Sequence, residues 1–143
     1  MINSKFYYLL SLIFVFVIPA VVAAYFVIQR ISIISLLIFV VGITVVGSIW
    51  DIWATRHGSK DPVWLWQFNF KDTLGIKIFD LPIEEYLFYI SACLYVVFIW
   101  EGVKYAVELK SAFLLALMVG LLAWSLLSVL VPYLFGVKGD KLK

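Results

Sequence analysis

The sequence predicts an all-α, polytopic membrane protein, a helical bundle of about four transmembrane helices. Of its 143 residues, 65% are hydrophobic and 18% are aromatic, and the mean hydropathy is +1.09. Soluble domains contain only about 45–50% apolar residues. Each membrane span needs about 20 apolar residues, and four segments reach that length. The chain therefore has room for a single integral membrane domain, residues 1–143, and for no separate soluble domain.

The four apolar segments are separated by charged or polar residues and cover about Tyr7–Ile28, Ile31–Ala54, Leu81–Trp100 and Ser111–Gly136. The first segment could instead be a secretory signal, because Lys5 precedes an apolar run that ends among small alanines. Its apolar stretch is longer than a typical signal core, which favours a membrane span.

The lysines and arginines are unequally divided between the two sides of such a bundle. Eight of the eleven lie on the side of the termini and of the loop between the second and third segments: Lys5, Arg56, Lys60, Lys71, Lys77, Lys138, Lys141 and Lys143. The other side has Arg30, Lys104 and Lys110. The positive-inside rule therefore predicts a multi-pass protein of the cell membrane with both termini cytoplasmic. The net charge of +2 is spread along membrane edges, so we expect lipid head groups rather than nucleic acid as neighbours.

The sequence predicts no internal disulfide, no metal site and no nucleotide-binding site. Cys93 is the single cysteine, so no internal disulfide can form. His57 is the single histidine and has no cysteine at ligand spacing, so no metal site is predicted. Neither a glycine-rich dinucleotide motif nor a P-loop is present, and no cofactor is expected.

Two adjacent carboxylates, Glu84 and Glu85, follow Pro82 at the start of the third segment. An ionisable residue within or at the rim of a membrane helix indicates a functional site, because burying its charge costs several kcal/mol. The alternative is a pair of interfacial carboxylates at a helix start, where the helix dipole favours negative charge and proline fits the first turn.

Polar residues form one stripe on the second helix and one on the third. The first stripe, at i, i+4, i+7 and i+11, is Thr44, Ser48, Asp51 and Thr55. The second, at the same spacing, is Glu84, Phe88, Ser91 and Tyr95. Glu85 is turned about 100° away from its neighbour. Because lipid cannot satisfy polar groups, both stripes should face inward and bring Asp51 and Glu84 together near the cytoplasmic rim. The hydroxyls alone could serve only as hydrogen bonds between helices.

Aromatic residues are frequent around the loop that joins these two helices. Tryptophan and tyrosine are enriched at membrane interfaces, so an aromatic belt would explain them. Alternatively, aromatic faces that line a dry pocket beside an acid can stabilise a carbocation, which suits a hydrocarbon substrate.

Several short motifs within about residues 45–105 occur in a particular order. They are Trp50-Asp51, Ala54, Gly58, Trp66-x-Phe68-Asn69, Gly75-Ile76, Leu81-Pro82-x-Glu84-Glu85, Phe88-Tyr89 and Trp100-Glu101. Taken together, they resemble the small membrane domain of the heterodimeric or fused lycopene cyclases. The segment between His57 and the Trp66 motif is longer than the usual link of that family. The C-terminal helix, about 111–136, lies beyond the three helices of one domain copy.

The resemblance implies a cofactor-independent carotenoid cyclase of the intramolecular lyase or isomerase type. Its expected substrate is an acyclic, lycopene-type carotene. Two domain copies pair in that family, so we expect a homo-oligomer or a second cyclase-domain chain as partner.

The family's acidic motif corresponds to Glu84 and Glu85 in this sequence. A carboxylic acid can donate a proton at neutral pH when a low dielectric and a second carboxylate favour its neutral form. We predict Glu84 as the proton donor, Glu85 as the residue that tunes or orients it, and Asp51 as a base or hydrogen-bond partner. The residues predicted to line the substrate are Trp50, Trp53, Trp66, Phe68, Asn69, Phe88, Tyr89 and Tyr95.

Two other functions stay open at this point. The chain could be a non-enzymatic membrane scaffold or carotenoid-binding subunit in which the stripes only pack. It could also be a prenyltransferase-like enzyme, although such sites usually need more acids to hold magnesium and basic residues to hold diphosphate. Glu101 lies about 25 Å from Glu84 along a continuous helix, so we expect it to pair at the interface with Lys104 or Arg30.

Overall fold

A computed structural model describes residues 6–58, 68 and 70–134 of the chain. Within these residues, four helices are long and apolar enough to cross a membrane. The first span, Tyr7–Arg30, is followed by α3 (Ile33–Gly58), α4 (Ile83–Glu108) and α5 (Ala112–Leu134). The prediction of an all-α, polytopic membrane bundle is confirmed.

The first span is not a uniform α-helix. It consists of α1 (Tyr7–Leu12), a π-helical segment (Ile13–Val17), α2 (Ile18–Val27) and a 3₁₀ turn (Ile28–Arg30). Pro19 accounts for the irregularity, because it has no N–H to donate to the carbonyl four residues earlier. The Ile18 N–H donates to the carbonyl of Ile13, five residues back, as in a π-helix.

This irregularity deprives two carbonyls, those of Phe14 and Val15, of their α-helical donors, and α5 supplies replacements. The Ser125 hydroxyl donates to the Val15 carbonyl at 2.8 Å, and the Trp124 indole N–H donates to the Phe14 carbonyl at 2.9 Å. A free carbonyl in hydrocarbon costs several kcal/mol. The two bonds therefore fix the first span against α5.

Helix α4 is the centre of the bundle, and the first span, α3 and α5 all pack against it. Its buried side chains join those of its neighbours in one apolar core, which includes Ala23, Val40, Phe98 and Met118. Gly102 permits the close packing of α4 on α5, because a Cβ atom there would overlap the Met118 side chain.

Helix α4 extends eight residues beyond its predicted end at Trp100. The polar residues that marked this end in the sequence remain helical, since Glu101 and Lys104 pair at 2.6 Å across one turn. The helix ends at Glu108, and Lys110, just beyond the cap residue Leu109, has a left-handed φ of 52°. The Ser111 N–H donates to the Ala106 carbonyl at 2.9 Å, which closes a Schellman motif.

A small antiparallel hairpin, which was not predicted, precedes α4. Strand β1 (Lys77–Ile78) pairs with β2 (Leu81–Pro82), and the intervening Phe79 and Asp80 have φ values of 51° and 72°. Two consecutive positive φ values are typical of a type I′ turn. The hairpin leads directly into α4 and so places Glu84 and Glu85 in the first helical turn.

The orientation of the bundle remains a prediction from the charge distribution. Reporter tags at the N-terminus, in the loop at residues 59–71 and at the C-terminus should all be cytoplasmic, and a tag at Glu108 should face the other side. Protease or thiol-reagent access on intact cells measures this directly. A loop tag reached only from outside would reverse the assignment.

Candidate functional site

Three carboxylates, Asp51 of α3 and Glu84 and Glu85 of α4, are buried near the start of α4. Their exposed fractions are 7%, 0% and 5%. Asp51 and Glu84 both lie close enough to act electrostatically on Glu85. Aspartate and glutamate are almost never this buried unless they are paired, so each needs a hydrogen-bond donor.

Glu84 is enclosed by the segment that leads into the hairpin. Its Oε1 accepts a hydrogen bond of 2.6 Å from the backbone N–H of Leu74, beside the buried Thr73. Its Oε2 is buried and has no hydrogen-bond partner among the described residues.

Glu85 is held from another direction, because the hydroxyl of Tyr8 in the first span donates to its Oε1. The sequence placed Glu85 about 100° away from the inward stripe, yet its side chain is also buried. The reason is that α4 is the central helix: the first span covers one of its faces while α3 covers another. Both members of the pair are therefore interior.

Asp51 lies on the inward face of α3, as predicted, and accepts a hydrogen bond of 2.7 Å from the Tyr89 hydroxyl. The sequence predicted proximity to Glu84, but the hydrogen-bond partner is the tyrosine one turn after Glu85. Gly47 makes this contact possible, because a Cβ atom there would lie 2.8 Å from Cδ1 of Tyr89 and closer still to the outer ring atoms.

The remaining members of the α3 stripe also turn toward the interior. Ser48 is 7% exposed, and the hydroxyl oxygens of Thr44, Ser48 and Thr55 are all buried. The stripe therefore presents hydroxyls and one carboxylate to the protein rather than to lipid, as expected for polar groups in a membrane helix.

An apolar cavity of about 260 Å³ lies between the first span, α4 and α5. Among the described residues, Glu85 is the one carboxylate of the lining, which consists of Tyr8, Ser11, Leu12, Val15, Phe16, Glu85, Phe88 and Val129. The Phe16 ring meets those of Phe88 and Tyr95 edge to face, each with centroids 5.6 Å apart. An acid thus lies beside an apolar, aromatic space.

The predicted substrate-lining residues fall in different places. Phe88 lines the cavity, Tyr95 is buried against Phe16 behind it, and Tyr89 holds Asp51. Phe68 is half-buried, whereas Trp66 and Asn69 lie outside the described residues.

Trp50 and Trp53 lie on the exposed surface of α3, with 63% and 51% of their area accessible. Their rings pack together with centroids 5.3 Å apart, and Trp53 also contacts His57. The structure does not bring them to the cavity lining. Their position is typical of an aromatic belt.

Sequence reasoning missed the contribution of the first span, which had looked uninformative. Tyr8, Ser11, Leu12, Val15 and Phe16 line the cavity at i, i+3, i+4, i+7 and i+8, the spacing of one helical face. Tyr8 and Ser11 were the available signal, because they are polar residues one turn apart in an apolar run.

Glu101 is distant from this cluster, at the other end of α4. It pairs with Lys104 at 2.6 Å, as predicted, whereas Arg30 pairs with Glu108 and lies 4.3 Å over the Tyr105 ring. The charged residues of this rim therefore form their own network.

Within the described residues, no three His, Cys, Asp or Glu side chains are arranged to hold a metal ion. The fold and the site together define a polytopic membrane protein with three buried acids, of which Glu85 borders an apolar cavity.

The family profile described as lycopene cyclase matches residues 4–103, which include the first two spans, most of α4 and all three acids. The chain belongs to the lycopene cyclase family, which places it at the family level among the carotenoid cyclases. Comparisons with curated proteins and with solved structures find no match.

Proposed function

We propose that this protein catalyses the acid-initiated, cofactor-independent cyclisation of the ψ end group of an acyclic, lycopene-type carotene in the cell membrane. Membership of the lycopene cyclase family supports the substrate class. The observation that carries the proposal is the placement of Glu85, a buried carboxyl group on the wall of an apolar cavity.

The chemistry requires only a proton and a shaped, dry space. Protonation of C2 in the terminal double bond leaves a cation at C1. The π electrons of the C5=C6 bond then form the C1–C6 bond and move the cation to C5. Loss of a neighbouring proton gives a β, ε or γ ring. One proton enters and one leaves, so no electrons are exchanged with a cofactor.

The structure favours Glu85 over Glu84 as the group that meets the substrate, because Glu85 lines the cavity and Glu84 is wholly enclosed behind Leu74. In this account, Tyr8 is a positioning residue: its hydroxyl fixes one carboxyl oxygen of Glu85 and leaves the other for the substrate. The assignment of the donor role to Glu84, made from the sequence, stays a prediction. Mutation of each glutamate in turn distinguishes it from the assignment to Glu85.

The other groups have supporting roles. After donating its proton, Glu85 is a carboxylate that can take up the proton the ring loses. Asp51, which is oriented by the Tyr89 hydroxyl, is a second carboxylate near enough to interact electrostatically with Glu85. The faces and edges of Phe16 and Phe88 border the cavity, where π electrons stabilise a passing cation by about 0.5–2 kcal/mol.

The size of the cavity suits one end group rather than a whole carotene. Ligand pockets for drug-sized molecules measure about 300–1,000 Å³, whereas this one measures about 260 Å³. The polyene chain must therefore extend into lipid or against another protein surface. A second copy of the domain, in a homo-oligomer or in a partner chain, would supply such a surface.

Expression in a lycopene-accumulating bacterium, with and without candidate partner chains, tests the proposal by pigment chromatography. We expect cyclic carotenes to appear at the expense of lycopene, and membranes treated with a magnesium chelator to remain active. Unchanged lycopene in every combination would favour the scaffold. Loss of activity on chelation would favour the prenyltransferase-like alternative.

A further inference from the structure

Helix α5 lies wholly beyond the part of the chain that matches the family profile, which ends at residue 103. Yet α5 is an integral part of the bundle. It packs on α4 through the buried Met118, which fills the space above Gly102, and on the first span through Trp124 and Ser125. Its position is therefore fixed by contacts with two neighbouring spans.

The contacts of α5 with the first span occur where the cavity wall is formed. The Trp124 and Ser125 side chains bind the carbonyls of Phe14 and Val15, and Val15 and Phe16 line the cavity. Pro19 has no N–H to donate to the Val15 carbonyl, and the Ile18 N–H donates to the Ile13 carbonyl instead of that of Phe14. Helix α5 thus holds the irregular part of the first span in place.

Helix α5 also contributes a side chain to the cavity itself. Val129, one turn after Ser125, lines the cavity together with Glu85 and Phe88 of α4. Val129 and Leu126 are both exposed at the surface of the bundle, at 53% and 67% of their area, but Leu126 is not among the residues that line the cavity.

We infer that α5 forms a wall of the substrate cavity and that Val129 is a specificity-determining residue, whose side-chain size sets how far an apolar end group enters toward Glu85. This role of Val129 rests on the proposed function, because it presupposes that the cavity receives the end group of a carotene. The occupant is the branched, uncharged terminus of an acyclic isoprenoid.

Val129→Phe should reduce kcat/KM for lycopene by about 10–200-fold, the range by which a mismatch of one or a few carbons is discriminated in an apolar pocket. Val129→Leu should give an intermediate loss. The matched control is Leu126→Phe, which adds an aromatic ring to the same helix outside the cavity lining and should retain wild-type kcat/KM. Retention of lycopene by the purified protein, measured by visible absorbance, should follow the same order.

The series of side-chain volumes at position 129 distinguishes a failure of the role of Val129 from a failure of the proposed function. If wild-type protein forms cyclic carotene but Val129→Leu and Val129→Phe behave like Leu126→Phe, the role of Val129 is wrong and the proposed function stands. If wild-type protein forms no ring, the proposed function fails. Lycopene retention then decides whether Val129 shapes a binding cavity, and equal retention by all variants would overturn that role.

Discussion

Glu85→Gln is expected to lower kcat for carotene cyclisation by about 10²–10⁴-fold, the usual contribution of general acid catalysis. Glutamine keeps the shape of the side chain and still accepts the Tyr8 hydrogen bond, but it has no proton to transfer. The protein should therefore accumulate in the membrane with unchanged thermal stability. Pigment chromatography of normalised membranes measures the effect.

Two glutamates on the same helix give the controls for this prediction. Glu101→Gln removes a carboxylate that pairs with Lys104 at the opposite rim, and it should leave the rate unchanged. Glu84→Gln should be milder than Glu85→Gln, because Glu84 lies behind the cavity wall rather than on it. A larger loss for Glu84→Gln would restore the donor role to Glu84, and wild-type rates for both variants would remove the acid pair from the mechanism.

Gly47→Ala should impair both stability and activity, because the added methyl group would occupy the space of the Tyr89 ring. Overpacking of this kind typically costs about 1–3 kcal/mol. To relieve the overlap, either α3 must move away from α4 or the Tyr89 ring must rotate. Either movement breaks the 2.7 Å hydrogen bond to Asp51 and changes the field at Glu85.

The matched control for this second prediction lies on the same helix. Gly42 has no atom within 4 Å of an added Cβ, so Gly42→Ala should leave stability and activity unchanged or slightly raise stability. Thermal unfolding in detergent and the cyclisation rate are the two measurements. Equal behaviour of the two alanine variants would show that the contact between Gly47 and Tyr89 does not hold the site together.

The spans could be predicted from the sequence because hydrophobic length is a local property. The inward face of α3 was predictable for a related reason, since polar groups spaced by whole turns cannot be left in lipid. The end of α4 was not, because Glu101 and Lys104 interrupt the apolar run but satisfy each other without leaving the helix.

The partners of the acids could not be predicted, because they depend on which helices are neighbours. Tyr8 is 77 positions from Glu85, and nothing in either local pattern indicates that the two groups meet. The same holds for Ser125 and Val15, which lie 110 positions apart. Conversely, residues that are neighbours in sequence need not share a site. Trp50 is adjacent to Asp51, and its ring therefore lies on a different side of α3.

The most direct test of acid-initiated cyclisation is isotope incorporation in a single turnover. Protein equilibrated in D₂O should convert lycopene to cyclic carotene that carries one deuterium for each ring formed, located at ring carbon C2 and detected by mass spectrometry and NMR. Rings formed without deuterium at C2 would contradict protonation by an exchangeable carboxylic acid, and with it the central role of Glu85 and its buried neighbours.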